Sequence, residues 1–219
     1  MSDGNSRNEV AAPPTARRRG PYRKSATTRQ AILDAAMDVF AARGYAGGSL
    51  REIAGRIGID QSSILHHFPT KQALLRAVME ERDRRDDDVL AEARPATIAD
   101  VPEAFLALAR RNASTPGVLQ LYSLLAAESV TPQHPLGDYF RERLPRVRAG
   151  FAQWFAELDA AGMLRAGLTP DFAASAFFAL WEGAQLHSVI DPAGIDVVDV
   201  LERFLDLVTE HAPEKGLHR

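Results

Sequence analysis

The chain contains no cysteine among its 219 residues, which excludes disulfide bonds, thiolate metal sites and cysteine nucleophiles. It has no run of 18 apolar residues, so no membrane-spanning helix is expected. Its first residues are polar and lack the apolar stretch of a secretory signal. Together these absences predict a cytoplasmic protein with no membrane partner.

Patterns that mark common catalytic sites are also missing. The sequence has no HExxH, GxGxxG or GxSxG pattern and no phosphate-binding loop. His66 and His67 are adjacent, so on a helix their side chains point about 100° apart and cannot share one metal ion. We therefore expect no catalytic residue, no metal and no cofactor.

The charges are unevenly distributed along the chain. Residues 17–85 hold 14 Lys and Arg against 7 Asp and Glu, whereas residues 86–219 hold 11 against 20. A polyanion would therefore be attracted to the first part and repelled by the second.

Apolar residues recur with helical spacing, and no segment of useful length alternates with a period of two, which predicts an all-α fold. We divide the chain into a disordered basic arm (1–25), a small helical domain (26–85) and a helical bundle (95–212). The arm either adds contacts to a polyanion or serves as a solubilising tail. Arg94-Pro95 marks the domain boundary. The mixed charge run at 81–89 is interpreted as a solvated helix end.

The small domain contains two short helices joined by a tight turn. Apolar spacing predicts the first helix over about 50–57, with Ser49 and Glu52 placed as a capping box. Gly58 ends it, because glycine adopts the left-handed conformation without steric cost. A second helix over about 61–67 completes a helix-turn-helix.

The second helix has one apolar edge and one polar edge. Ile64 and Phe68 can anchor it. Its outward positions are short or polar groups that can approach base edges and phosphates: Gln61, Ser62, Ser63 and His66. A solvated surface helix is the alternative interpretation.

About fifty consecutive residues, from Arg29 to about Val78, resemble the N-terminal domain of the tetracycline-repressor (TetR) family of transcriptional regulators. The residues that carry the resemblance are Ala36, Phe40 and Gly44 of the first helix, Ile53, Ala54 and Gly58 of the helix-turn-helix, and the HHFPTK segment that follows. The resemblance implies a regulator that binds double-stranded DNA.

The resemblance also implies which residues contact DNA. It assigns them as Thr28, Ser49, Gln61, Ser62, Ser63, His66, His67 and Lys71. Thr28 and Ser49 correspond to helix starts near the DNA backbone, where free N–H groups favour an anion. The chain departs from the family at Leu65, where a tyrosine that binds phosphate is usual.

The last two helices, over about 171–190 and 197–208, are apolar on nearly every side, so a second subunit is expected to cover them. Phe177 and Trp181 are candidates for that interface. The TetR resemblance implies the same homodimer, joined through its last two helices. Two-fold symmetry would place two recognition helices about 34–36 Å apart, which predicts a palindromic operator.

The helical bundle is expected to contain a site for a small-molecule effector, most suitably an apolar or aromatic one. The candidates are Phe105, Tyr122, Phe151, Trp154, Phe155, Phe177 and Trp181, with Gln185 and His187 as polar anchors. Ordinary core packing is the alternative for each of them. For the whole chain we expect a homodimeric repressor that such a ligand releases from its operator. The alternatives are a helical small-molecule-binding protein and a metal-independent enzyme, each with incidental DNA binding.

Overall fold

The computed structural model describes residues 21–93 and 96–210, with side chains from residue 25 onward. Within those ranges the chain forms nine α-helices: α1 Pro21–Gly47, α2 Leu50–Ile57, α3 Gln61–His67, α4 Lys71–Glu92, α5 Val101–Ala113, α6 Pro116–Glu128, α7 Gly137–Ala160, α8 Pro170–Ile190 and α9 Val197–Val208. No strand forms in the same ranges beyond an isolated bridge between Leu164 and Thr209. The predicted all-α fold is confirmed. None of the described helices is long and apolar enough to span a membrane.

The first helix begins earlier than the sequence predicted. The boundary at Arg94-Pro95 and the first twenty residues of the arm lie outside the described residues, but residues 21–25 belong to α1. Pro21 suits a helix start, because its ring holds φ near the helical value and its missing N–H would have no partner there. Thr28 therefore lies inside α1 and does not begin a helix.

The local signals at the helix-turn-helix act largely as predicted. Gly44 has φ of 68° and interrupts α1, and Gly58, also at 68°, ends α2. The Ser49 hydroxyl accepts a hydrogen bond from the Glu52 amide at 3.1 Å. The second half of the predicted capping box is wrong, because the Glu52 carboxylate instead accepts from Arg43 Nε at 2.8 Å.

Two hydrophobic clusters form the interior. The first joins the apolar faces of α1–α4 to residues of α6 and the start of α7, including Leu121, Tyr122 and Phe140. The second lies among α5, α7, α8 and α9. Helix α6 approaches α1 so closely that a Cβ on Gly117 would stand 3.3 Å from that of Ala41. The helix-turn-helix domain therefore shares its core with the bundle.

The charge run on α4 is not the solvated helix end that the sequence suggested. Glu81, Arg82, Asp83 and Asp86 are each at most 7% exposed. Buried charges are tolerated when they are paired and hydrogen-bonded. Some of their partners lie on α4 itself, but others come from α1, α5 and α7, far away in the sequence, which is why the local pattern did not reveal the burial.

Asp83 is the centre of this network. Its Oδ1 accepts from Arg143 Nε of α7 at 2.8 Å. Its Oδ2 accepts from Arg146 Nη2 at 2.8 Å and from the Tyr139 hydroxyl at 2.9 Å. One carboxylate thus fixes α4 against three side chains of α7.

The network continues from Arg143 into α6 and α8. Arg143 Nη1 donates to the Tyr122 hydroxyl at 2.7 Å, and that hydroxyl donates to Glu182 Oε2 at 3.0 Å. The Arg82 guanidinium lies 4.2 Å above the Tyr122 ring. Burial raises the pKa of both Tyr122 and Glu182.

A second buried carboxylate ties α4 to α1. Glu81 Oε1 accepts from Gln30 Nε2 at 2.9 Å, from Arg84 Nη2 at 2.8 Å and from Arg85 Nε at 2.9 Å. Arg85 in turn pairs with Asp34 of α1. The hydrogen bonds from Arg84, with those from Gln30 and Arg85, lower the pKa of Glu81 to about 2. Helix α1 is thus fixed to α4 by charge as well as by packing.

Glu81→Gln should lower the free energy of unfolding at neutral pH, because the folded protein favours the ionised carboxylate. A pKa held below the ordinary value of 4.5 stabilises the fold above that value and loses its effect as the pH falls towards 2. Urea denaturation from pH 7 to pH 3 should show the wild-type advantage shrinking below about pH 4.5. Glu92→Gln, at an exposed site late in α4, is the control. An advantage of the same size at every pH would contradict the assignment.

Candidate DNA-binding surface and effector cavity

A few apolar contacts hold α3, the second helix of the helix-turn-helix, in place. Ile64 is fully buried and Phe68 is 4% exposed, and both belong to the first hydrophobic cluster. The Phe68 amide closes the helix by donating to the Ile64 carbonyl at 2.8 Å. These anchors leave the opposite side of α3 at the surface.

The structure places the predicted reading residues together on that side. Gln61, Ser62 and His66 are exposed and Ser63 is half-buried. Leu65 is 38% exposed beside them, where it offers an apolar surface and no hydroxyl. The arrangement is a short polar helix face of a size that enters a major groove.

The predicted phosphate contacts fall into different environments. The Ser49 side chain already caps α2, so its hydroxyl is engaged by the Glu52 amide. His67 is half-buried, with its ring centroid 6.4 Å from that of Phe68. The helix-start argument for Thr28 is wrong, because α1 extends seven residues before it. Its assignment rests on the resemblance alone.

Lys71 lies at the first position of α4. Its Nζ is 4.6 Å from the centre of the Tyr45 ring and 3.4 Å from the Ala46 carbonyl oxygen. These contacts hold the ammonium at the edge of the helix-turn-helix. A phosphate brought to this edge would meet a positioned cation.

Most of the predicted effector-site aromatics pack against one another in the second hydrophobic cluster. Phe155 and Phe177 are fully buried in this cluster and line neither of the two cavities described below, so they act as core residues. Trp181 is only 4% exposed and its ring packs against Phe177, so the two face the interior of the subunit and not a dimer interface. Tyr122 belongs to the charge network. The proposed polar anchor His187 is exposed.

A cavity of about 260 Å³ lies between α4, α5 and α7 and contains three of the predicted residues, Phe105, Phe151 and Trp154. The Phe105 ring centroid lies 5.1 Å from those of both Phe151 and Trp154. Gln185 and Trp181 line a smaller cavity beside it. The cavity thus has an aromatic wall against which an apolar ring can pack.

The cavity also has a charged wall, which sequence reasoning missed. It consists of Asp83, Asp86, Asp87, Arg143 and Arg146. Burial raises the pKa of Asp86 and of Asp87. A sequence signal was available, because Arg143 lies four residues before Val147 and eight before Phe151 on α7, and Arg146 follows Arg143 by three. The wall is built from the same groups that fix α4.

Comparison with known proteins finds relatives of this chain. Residues 32–78 match the family model described as bacterial regulatory proteins, tetR family. The chain is 26% identical over 193 residues to the HTH-type transcriptional repressor DhaR of Mycobacterium sp. (strain GP1), a match that covers 83% of this chain and 90% of that protein. It is 26% identical over 173 residues to the HTH-type transcriptional regulator PksA of Bacillus subtilis (strain 168), covering 77% of this chain and 82% of PksA.

The whole fold has counterparts among solved structures. A transcriptional regulator of the TetR family from Agrobacterium tumefaciens superposes with a TM-score of 0.70 at 20% identity, over 85% of this chain and all of that chain. At this identity the similarity shows the fold alone. It extends the match from the N-terminal helices to the bundle that follows them.

Gln61→Ala and Lys71→Ala should weaken DNA binding in different ways. Losing a base contact at Gln61 should relax the preference at one operator position, at a cost of about 1–3 kcal/mol. Losing a phosphate contact at Lys71 should weaken binding to every sequence and reduce the slope of log K against log salt by about one unit. Titrations of variant operators at several salt concentrations separate the two effects. An unchanged salt slope for Lys71→Ala, or a uniform loss for Gln61→Ala, would contradict the respective assignment.

Proposed function

We propose that this chain, a TetR-family transcriptional regulator and not an enzyme, is a homodimeric repressor that binds DNA through its N-terminal helix-turn-helix. Its operator is palindromic, and a small ligand releases the protein from it. The observation that carries the proposal is the polar face of α3, held at the surface by Ile64 and Phe68. Since its target is chromosomal DNA, we place the protein in the cytoplasm.

Large apolar side chains at the surface of α8 and α9 support the homodimer. Phe172, Leu186 and Ile190 of α8 are 60%, 41% and 75% exposed, and Leu207 of α9 is 64% exposed. The three α8 residues lie within about 40° of one another around the helix, so they form one apolar stripe.

Small residues occupy the middle of the same stripe. Ser175, Ala179 and Gly183 follow one another at intervals of four, between Phe172 and Leu186. Small side chains at this spacing allow a second helix to approach closely. A second copy of the same helix pair is the complementary surface, as two-fold symmetry requires.

The cavity between α4, α5 and α7 supports release by a ligand. Its volume of about 260 Å³ suits a small molecule or part of a larger one. Its aromatic wall favours a ligand with an aromatic or apolar body. A ligand in the cavity would touch Asp83 and Asp86, which fix α4 to the bundle.

Helix α4 is the element through which the ligand would act. It begins beside the helix-turn-helix at Lys71 and carries the buried carboxylates of the network at its other half. A ligand that binds more tightly when α4 is shifted relative to α7 would favour that arrangement. The two recognition helices would then no longer match successive major grooves, and the operator would be released.

Selection of the purified protein against random duplex DNA tests the proposed function. At roughly physiological salt, non-specific phosphate binding is reduced, so sequence-specific contacts decide what is enriched. We expect a palindrome whose half-sites lie about one helical turn apart. Enrichment of single half-sites without symmetry, or of no sequence at all, would contradict the dimeric repressor.

Ile190→Asp should weaken the dimer, because it places a carboxylate in an apolar interface. Burying an unpaired carboxylate costs on the order of 2 kcal/mol or more, so the dimer dissociation constant should rise at least tenfold. Sedimentation equilibrium measures this constant. Val130→Asp is the matched control, since Val130 is 85% exposed in the turn after α6. Equal dissociation constants for the two variants would exclude α8 from the interface.

A further inference from the structure

A second, smaller cavity of about 40 Å³ lies deeper in the bundle, among α4, α5, α7 and α8. It shares five lining residues with the 260 Å³ cavity: Asp86, Leu108, Arg143, Val147 and Phe151. The two cavities are therefore adjacent, and we call them the inner and the outer cavity. A water molecule occupies about 30 Å³ in the liquid, so the inner cavity has room for one small polar group.

Two amide side chains line the inner cavity without hydrogen-bond partners in the described part of the chain. Asn112 of α5 is 6% exposed and Gln185 of α8 is 3% exposed. Each amide offers one carbonyl oxygen and two N–H donors. Buried polar groups are normally satisfied, and leaving one unpaired costs free energy. Because both amides line one cavity, a water molecule or a ligand group in that cavity can satisfy them.

The ionised groups around the inner cavity are already balanced. Its lining contains Arg82, Asp86, Arg143 and Glu182, two of each sign. Arg82 Nη1 forms an ion pair with Asp86 Oδ2 at 3.1 Å, although without hydrogen-bond geometry, and Arg143 and Glu182 both bond the Tyr122 hydroxyl. A charged group added here would have no counter-charge of its own. A neutral group that both donates and accepts hydrogen bonds meets no such penalty.

We propose that the inner cavity is the polar end of the effector site and that Asn112 and Gln185 bind a neutral donor–acceptor group of the effector, such as a carboxamide or lactam. The apolar body of the same molecule lies in the outer cavity against Phe105 and Trp154. This proposal rests on the proposed function, in which the bundle binds an effector. It adds the chemical class of that effector.

Four probes of similar size test the class: phenylacetamide, phenylacetate, phenethylammonium and isobutylbenzene. All four carry a phenyl group for the outer cavity and differ in the group that would enter the inner one. We expect the full-length protein to bind phenylacetamide about tenfold more tightly than either charged probe or the apolar probe. Equal affinities for the four probes would overturn the proposal.

The two tryptophans report on the two cavities separately. Trp154 lines the outer cavity and Trp181 the inner one, and the chain contains no other tryptophan. In the Trp154→Phe variant the remaining fluorescence comes from Trp181, so phenylacetamide should change its emission. The contrary result is selective binding of phenylacetamide that changes only the emission of Trp154, which the Trp181→Phe variant reports. That result would place the amide outside the inner cavity and overturn the assignment.

Substitutions at Gln185 test which group recognises the amide. Gln185→Met preserves the length of the side chain and should abolish the preference for phenylacetamide. Gln185→Glu removes the donors and adds a charge, so the preference should shift towards phenethylammonium. Gln120→Met, at an exposed position on α6 outside this cavity, should keep wild-type selectivity. The same selectivity in all three variants would overturn the role of Gln185.

Parallel measurements of operator binding separate this proposal from the proposed function. Selective binding of phenylacetamide without any loss of operator affinity would support the polar subsite and contradict release by ligands at this site. Release of the operator by an unrelated compound, with no selectivity among the four probes, would support the repressor and overturn the polar subsite.

Discussion

The ion pair between Asp83 of α4 and Arg143 of α7 is the interaction on which the arrangement of the molecule depends. Both residues are 7% exposed, and their side chains also bond Tyr139, Tyr122 and Arg146. Removing one partner of such a buried pair typically costs about 3–5 kcal/mol, because the other charge is left without compensation. The pair therefore fixes one position of α4 against the bundle.

That position matters because α4 connects the two functional parts. Its first turn adjoins the helix-turn-helix through Lys71 and Tyr45, and its later turns form the charged wall of the effector cavity. In the proposed mechanism, a ligand that competes with the network changes the free energy of the α4 position directly. The buried amides Asn112 and Gln185, which line the inner cavity, are the groups proposed to select that ligand.

Features encoded by neighbouring residues were predictable from the sequence. The left-handed turn between α2 and α3 requires Gly58, and the Thr70 hydroxyl caps α4. The spacing of Ile64 and Phe68 determines which side of α3 faces outward. The helix-turn-helix and its polar face were predicted for this reason. Which residues of that face contact bases and which contact phosphates depends on how α3 meets the DNA. Those assignments stay predictions.

Features that depend on distant partners were not predictable in this way. The run at 81–89 has the composition of a solvated helix, and only the approach of α1, α5 and α7 makes its charges buried. The aromatic residues of the bundle could equally serve packing or binding. Phe177 packs in the core while Phe105 reaches a cavity, and local periodicity does not distinguish them.

The most direct test is the distance between the two copies of α3 in the proposed homodimer, measured without DNA by pulsed electron paramagnetic resonance. Because the chain has no cysteine, Ser62→Cys provides a single labelling site on α3. We expect a narrow distance distribution in the otherwise wild-type protein and a broader one when Arg143→Met breaks the pair, with Arg141→Met as the exposed control. Identical distributions in all three proteins would contradict the claim that this ion pair sets the position of the DNA-binding domain.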